Sequence, residues 1–259
     1  MKTILLLSAL SLPLATPALA KPAATLTLAA QNHDFSDARG PLRTVRLEYR
    51  RDLGRVAIAV APTWAEQRLD TALRHSAGAD GALDLRLSDR VSTHTTLAVA
   101  ENDGIVPRLE LGQDVSLTVM PRTVATVGLR RSRYQNEDVT FLHAGLRRYF
   151  RGGSLSYRLT RTTPERGGAF LAHLANLVLN DARGEGRTQV WLGYGASADN
   201  RLPGGQSLSG KDWSLSLRRV QPVGGGFALA PLAGYASYDL PGGRVSSLNL
   251  GLGLSLAMN

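Results

Sequence analysis

Five histidines, His33, His75, His94, His143 and His173, are the side chains best suited to move protons or hold a metal near neutral pH. No two of them fall at metal-ligand spacing on one element, and the chain has no cysteine, so neither a zinc-type site nor a disulfide framework is expected. The glycine clusters Gly184-Glu185-Gly186 and Gly204-Gly205 follow no strand-to-helix pattern and read as turns, not as a phosphate cradle. No cofactor is expected. His143 and His173 are the two positions that could take an acid–base role, but neither stands beside a recognisable Ser or acidic partner motif. No catalytic residue is assigned.

Arginine offers the other chemistry. The formal charge is +9 and is carried mostly by arginine, whose fork bonds carboxylate and phosphate in pairs. Nucleic acid is not an expected partner for an exported chain; lipopolysaccharide phosphates, acidic glycans and small anionic solutes are. Residues alternating along the chain place Arg46, Glu48, Arg50, Asp84, Arg86, Arg108, Glu110, Asp114, Arg130, Arg147, Arg158 and Arg218 on one polar face. Arg46, Arg50, Arg86, Arg108, Arg130, Arg147, Arg158 and Arg218 are therefore the candidate anion-lining set. The alternative is that they form ladders within a barrel wall opposite Asp and Glu.

The elements that position them are strands. Period-two alternation recurs in segments of about ten residues, the repeated signature of a transmembrane barrel. Trp213, Leu215 and Leu217 oppose Ser214, Ser216 and Arg218; Leu83, Leu85 and Leu87 oppose Asp84, Arg86 and Ser88; Leu155, Tyr157 and Leu159 oppose Ser154, Ser156 and Arg158. The pattern predicts strands near 24–31, 41–51, 54–65, 77–88, 91–101, 108–119, 122–132, 138–149, 152–162, 169–180, 187–197, 210–220, 225–237 and 243–257. The fold class is all-β, an antiparallel transmembrane barrel of about fourteen strands, or twelve if weak segments such as 24–31 are unpaired. A soluble sandwich would carry charge or Thr on the second face; here that face is often Gly, Ser, Ala or Thr with occasional Arg, which suits a lumen. Short turns are expected at Asp52-Leu53, Asp89-Arg90, Pro121 and Arg151-Gly152, and longer loops at 32–40, 66–76 and 198–209.

Ahead of the strands, Lys2, the apolar run Ile4 to Leu14 and Ala18-Leu19-Ala20 read as a cleavable secretory leader, residues 1–20. The barrel domain then spans 21–259 and the expected location is the outer membrane. In the last segment Leu248, Leu250, Leu252, Leu254 and Leu256 oppose Ser247, Asn249, Gly251, Gly253 and Ser255. Asn249, Gly251, Leu254 and Leu256 are similar to the C-terminal signal read by the outer-membrane assembly machinery, without its terminal aromatic residue. That machinery, outer-membrane lipid and lipopolysaccharide are the expected partners. Tyr49, Trp64, Tyr134, Tyr149, Phe150, Tyr235 and Tyr238 lie near strand ends, where interfacial girdles occur.

Four motifs run in order along the chain: Glu101-Asn102-Asp103-Gly104, Gly128-Leu129-Arg130 within Val124 to Arg133, Leu146-Arg147-Arg148-Tyr149-Phe150 before a glycine turn, and Trp191-Leu192-Gly193-Tyr194-Gly195. In these the sequence resembles the YaiO family of outer-membrane β-barrel proteins. The resemblance implies a barrel without an assigned biochemical activity. Some relatives carry N-terminal helical repeats linked to polysaccharide export, for which this sequence leaves no room. The expected function is thus a non-enzymatic barrel, either a narrow anion-preferring channel or a surface-interaction scaffold, with the lipid A or glycan enzyme as the alternative.

Overall fold

Every strand pairing but one joins chain neighbours, and the exception closes the ring. In the computed structural model the strands are β1 (Ala24–Phe35), β2 (Arg39–Asp52), β3 (Val56–Leu69), β4 (Ala72–Arg86), β5 (Val91–Ala100), β6 (Leu109–Met120) and β7 (Thr123–Arg133). They continue as β8 (Asp138–Phe150), β9 (Gly153–Pro164), β10 (Phe170–Asn180), β11 (Arg187–Gly195), β12 (Trp213–Gly224), β13 (Phe227–Leu240) and β14 (Gly243–Met258). The structure describes residues 23–258 except 38, 70–71, 102–105, 136, 183–185, 196–211 and 241–242. The expected leader, 1–20, and the expected loop 198–209 lie outside the described residues.

β1 pairs antiparallel with both β2 and β14, Thr27 facing Glu48 on one side and Ser255 on the other. The barrel therefore has fourteen strands, and the twelve-strand alternative is excluded. Closure matters physically: a sheet without edges satisfies its backbone groups internally, which hydrocarbon requires. No helix among the described residues is long and apolar enough to cross a membrane.

Alternation sorts the two faces. Leu97, Leu111, Val127, Leu142, Leu155, Leu192, Leu215 and Leu250 stay exposed on the outside, while Ala57, Ala59, Ala61, Asn176, Gln189 and Ala230 are buried inward. A soluble protein would bury that leucine coat; a membrane barrel presents it to lipid. Gly152 (φ +84°) and Arg122 (φ +63°) adopt left-handed conformations that let two-residue turns join β8 to β9 and β6 to β7.

Two expectations are corrected here. Segments 32–40 and 66–76 are not long loops: β1 runs to Phe35, β2 starts at Arg39, β3 ends at Leu69 and β4 starts at Ala72. One polar residue in each points inward, His33 opposite Leu42 and Gln67 opposite Arg74, both fully buried, while their polar neighbours Asp34 and Arg68 stay exposed on the outer face. The expected aromatic girdle is also only part right. Trp64, Phe150 and Tyr235 are exposed and Tyr49 shares their outward set, but Tyr149 and Tyr238 face inward and Tyr134 packs on Val139 and Phe141. In their place His173 joins the outer belt, its Nδ1 2.6 Å from the Tyr157 hydroxyl and its ring beside Tyr194.

Candidate functional site: the charged lumen

Inward side chains on β2 to β6 form ion pairs that skip a strand. Arg46 Nη1 lies 2.6 Å from Asp80 Oδ2, and Arg50 Nη2 lies 2.6 Å from Asp84 Oδ2. Both bridges join β2 to β4 across β3. They can do so because the β3 residues at those levels are small: Arg50 faces Ala59, and Asp80 and Asp84 face Ala61 and Ala57. The alternating alanines of β3 thus leave the guanidinium forks an open path over the sheet. Arg46 also reaches Glu48 at 2.9 Å, and Asp84 accepts or shares a proton with His94 Nδ1 at 2.6 Å.

The same device recurs on β6 to β8. Asp114 faces Gly128, and Gly128 faces His143, so the three lie on one row across three strands. A Cβ at Gly128 would run into Asp114 Oδ1 and the His143 ring. With glycine there, His143 Nε2 approaches Asp114 Oδ1 to 3.1 Å, without the alignment of a hydrogen bond. Arg130 sits 3.7 Å from Glu110 with its guanidinium 3.9 Å over the Phe141 ring, and Ser132 Oγ donates to Glu110 at 2.6 Å.

The wall from β8 to β12 differs. Arg147, Arg158, Arg187 and Arg218 all belong to the inward sets of their strands, and none forms an ion pair or hydrogen bond among the described residues. Asp114 is the acid that Arg158 feels most, and Glu48 the one that Arg218 feels. A cavity of about 150 Å³ lies in the lumen between β5 and β10, lined by Asp114, His143, Arg147, Ser156, Arg158 and Asn176 among others.

Of the eight arginines expected to line the lumen, Arg46, Arg50, Arg130, Arg147, Arg158 and Arg218 are on its wall. Arg86 ends β4 and is exposed in the cleft at the rim with Asp89 and Arg90, and Arg108 is exposed just ahead of β6, its N–H donating to the Arg133 carbonyl. Asp80, Asn176 and Arg187 share the lumen without having been singled out from sequence, and His94, noted there only as one of five scattered histidines, joins them. Among the described residues no group of three or more His, Cys, Asp or Glu is arranged to hold a metal.

In β14, Asn249 and Gly251 face inward and Leu254 faces lipid, with Leu256 on the same side. A Cβ at Gly251 would press on Gln31 Cγ at 2.9 Å and Leu232 Cβ at 3.4 Å, so this glycine has a packing role at the β1–β14–β13 seam.

Comparison with known proteins places this architecture. The family model described as the YaiO membrane beta barrel domain matches residues 23–200. The chain belongs to the YaiO family. Among solved structures, it is similar to the CymD monoaromatic hydrocarbon channel, with a TM-score of 0.65 at 8% identity over 92% of this chain and 89% of that one. A bacterial polysaccharide outer membrane secretin (0.58, 8% identity, 91% and 98% covered) and the outer membrane protein Omp33 of Acinetobacter baumannii (0.54, 9%, 92% and 99%) share the fold as well. At such identities the likeness is one of architecture, that of an outer-membrane β-barrel. This YaiO barrel thus shares its shape with channels, while its lumen chemistry has to be read from its own residues.

Proposed function

We propose that this YaiO barrel is a narrow, non-enzymatic pore of the outer membrane that prefers anions. The observation that carries the reading is the set Arg147, Arg158, Arg187 and Arg218, inward and without an acid partner among the described residues. A low-dielectric wall focuses the field of unpaired charges and raises the local concentration of counter-ions, whereas a paired arginine contributes little. The preference is therefore assigned to the β8–β12 side and not to Arg46 or Arg50. A catalytic reading has less support: His173 faces lipid beside Tyr157, and neither it nor His143 hydrogen-bonds a serine hydroxyl among the described residues.

The test is the reversal potential of the refolded protein in a potassium chloride gradient across a planar bilayer. Anion preference is expected, weakening as salt screens the wall. Arg158→Glu combined with Arg218→Glu should abolish or reverse it. Cation preference in the unmodified protein, or no conductance, would overturn the proposal.

A further inference from the structure

We propose that the short-turn end of β2–β9 docks on the headgroups of anionic phospholipid in the leaflet that faces the periplasm. The first and last strands have their outer ends here, Ala24 lying opposite both Met258 and Arg51, the arrangement in which short turns are periplasmic. Four successive turns, β2–β3, β4–β5, β6–β7 and β8–β9, each carry one exposed arginine: Arg55, Arg90, Arg122 and Arg151. Their side chains form no ion pair or hydrogen bond among the described residues. One to three positions ahead of each stands an exposed apolar residue, Leu53, Leu87, Met120 and Phe150 in turn.

Exposed arginines elsewhere on the rims are treated differently. At the opposite end Arg43 lies 3.6 Å from Glu66, Arg131 and Arg133 share Asp138 at 2.8 and 3.2 Å, and Arg244 lies 2.9 Å from Asp239. At the short-turn end Asp181 takes up Arg219 beside the β10–β11 turn, and the β12–β13 turn is glycine. Unpaired arginine in the turns is thus gathered on one arc, against the carboxylates of Asp52 and Asp89, and Asp52 already accepts the Gly54 N–H at 2.9 Å.

Arg122 is kept there despite backbone strain. It has φ +63° at the second position of a two-residue turn, where glycine is the unstrained choice, and Gly152 at φ +84° fills the matching place between β8 and β9. Arg148 braces this turn from β8, its Nη1 donating to the Pro121 carbonyl at 3.0 Å.

Depth identifies the partner. The outward apolar set runs into these turns without a gap, from Leu83 and Leu85 to Leu87 and from Val115, Leu117 and Val119 to Met120. Connections as short as Pro121-Arg122 do not lift their arginines clear of the headgroup layer to meet a soluble protein. An apolar side chain at the hydrocarbon boundary with an arginine beside it anchors in the interface and offers its guanidinium to phosphate. Attraction to an anionic surface adds up over the arginines, which favours a headgroup of net negative charge over a zwitterionic one. The site lies outside the lumen and holds whether or not the barrel conducts.

The test measures lipid association of the full-length barrel refolded in vesicles of about three parts phosphatidylcholine to one of phosphatidylglycerol, with trace spin-labelled lipid of either kind read by electron spin resonance. Labelled phosphatidylglycerol should associate about threefold or more strongly than labelled phosphatidylcholine, and added salt should shrink the difference. Arg55→Gln, Arg90→Gln, Arg122→Gln and Arg151→Gln together should remove it, whereas Arg55→Lys, Arg90→Lys, Arg122→Lys and Arg151→Lys together should retain it. Arg131→Gln with Arg133→Gln, at the other end, should leave it unchanged. Each variant is first checked for the folded band on an unboiled gel. If the fourfold Arg→Gln variant does not fold, Arg122→Gly with Arg151→Gln, which relieves the left-handed backbone, should still cut the preference by about half. Inorganic phosphate at constant ionic strength should not compete. Equal association of the two lipids, a preference that survives the Arg→Gln variants, or displacement by inorganic phosphate overturns the proposal; the first would leave these turns to an acidic soluble partner and the last to a free anion.

Discussion

On the β2–β6 side Arg46 and Arg50 each find a carboxylate at 2.6 Å, whereas on the β8–β12 side Arg147, Arg158, Arg187 and Arg218 find none among the described residues. Both sides are lumen wall, and both carry arginine on the inward set. The difference lies in the strands between. β3 offers alanine at 57, 59 and 61 where the bridges cross, and β4 offers Asp80 and Asp84 beyond it; β9 and β11 offer Ser156 and Trp191 at corresponding places, with Asn176 between them and no acid. Spacing of the basic residues alone therefore does not say whether a lumen arginine is structural or available. The small residue and the acid two strands away decide it.

The strongest test of this contrast fills the path of the bridges. Ala59→Leu together with Ala61→Leu should put side chains where Arg46 and Arg50 cross, stranding half-buried charges and destabilising the barrel by about 2–4 kcal/mol in denaturant titration from lipid vesicles. Ser156→Leu, which blocks no ion pair, should cost far less. Equal losses at the two places would remove the distinction between the two sides.

Much of this architecture was legible before the structure. Alternation placed all fourteen strands because lipid on one side and a lumen on the other impose period two on every segment. It failed at 32–40 and 66–76 because Asn32, His33 and Asp34, or Glu66, Gln67 and Arg68, make the strand polar on both faces there, which erases the alternation and reads as loop. The pairing of Arg50 with Asp84 was not legible, since it depends on register and on Ala59 being small, and neither shows in local composition. The β3 alanines at every second position were the available signal, and Gly128 between Asp114 and His143 was another.

A milder test comes at that glycine. Gly128→Ala should push Asp114 and His143 apart and cost about 1–3 kcal/mol, read as a lowered unfolding midpoint. A neutral result would mean that the two side chains swing aside at no cost and that the small-residue rule does not extend to β7.

The smallest effect belongs to the one arginine of β12 that is paired. Arg219 Nη1 donates to Asp181 Oδ1 at 2.7 Å, and its other nitrogen reaches Oδ2, holding the Asp181 carboxyl below the ordinary carboxylate range. Asp181 lies in the β10–β11 connection, outside the spanning strands. A depressed carboxylate stabilises the folded state above its unfolded value of about 3.9 and loses that contribution as pH falls through the lower folded value. Asp181→Asn should thus lower the unfolding midpoint slightly near neutral pH, with the difference from the unmodified protein closing below about pH 4. A difference that persisted into acid would show that the pair is not its source.

Closure between β1 and β14 has a further meaning for how the chain could be rewired. Ala24 stands opposite Met258, and each strand otherwise meets only its chain neighbours, so the connectivity is a ring cut once, at a place where the two ends already lie side by side. Joining those ends with a short polar linker and reopening the chain between Arg151 and Gly152 would preserve every strand pairing. Sequence order and spatial order are then the same cyclic list, read from a different starting point.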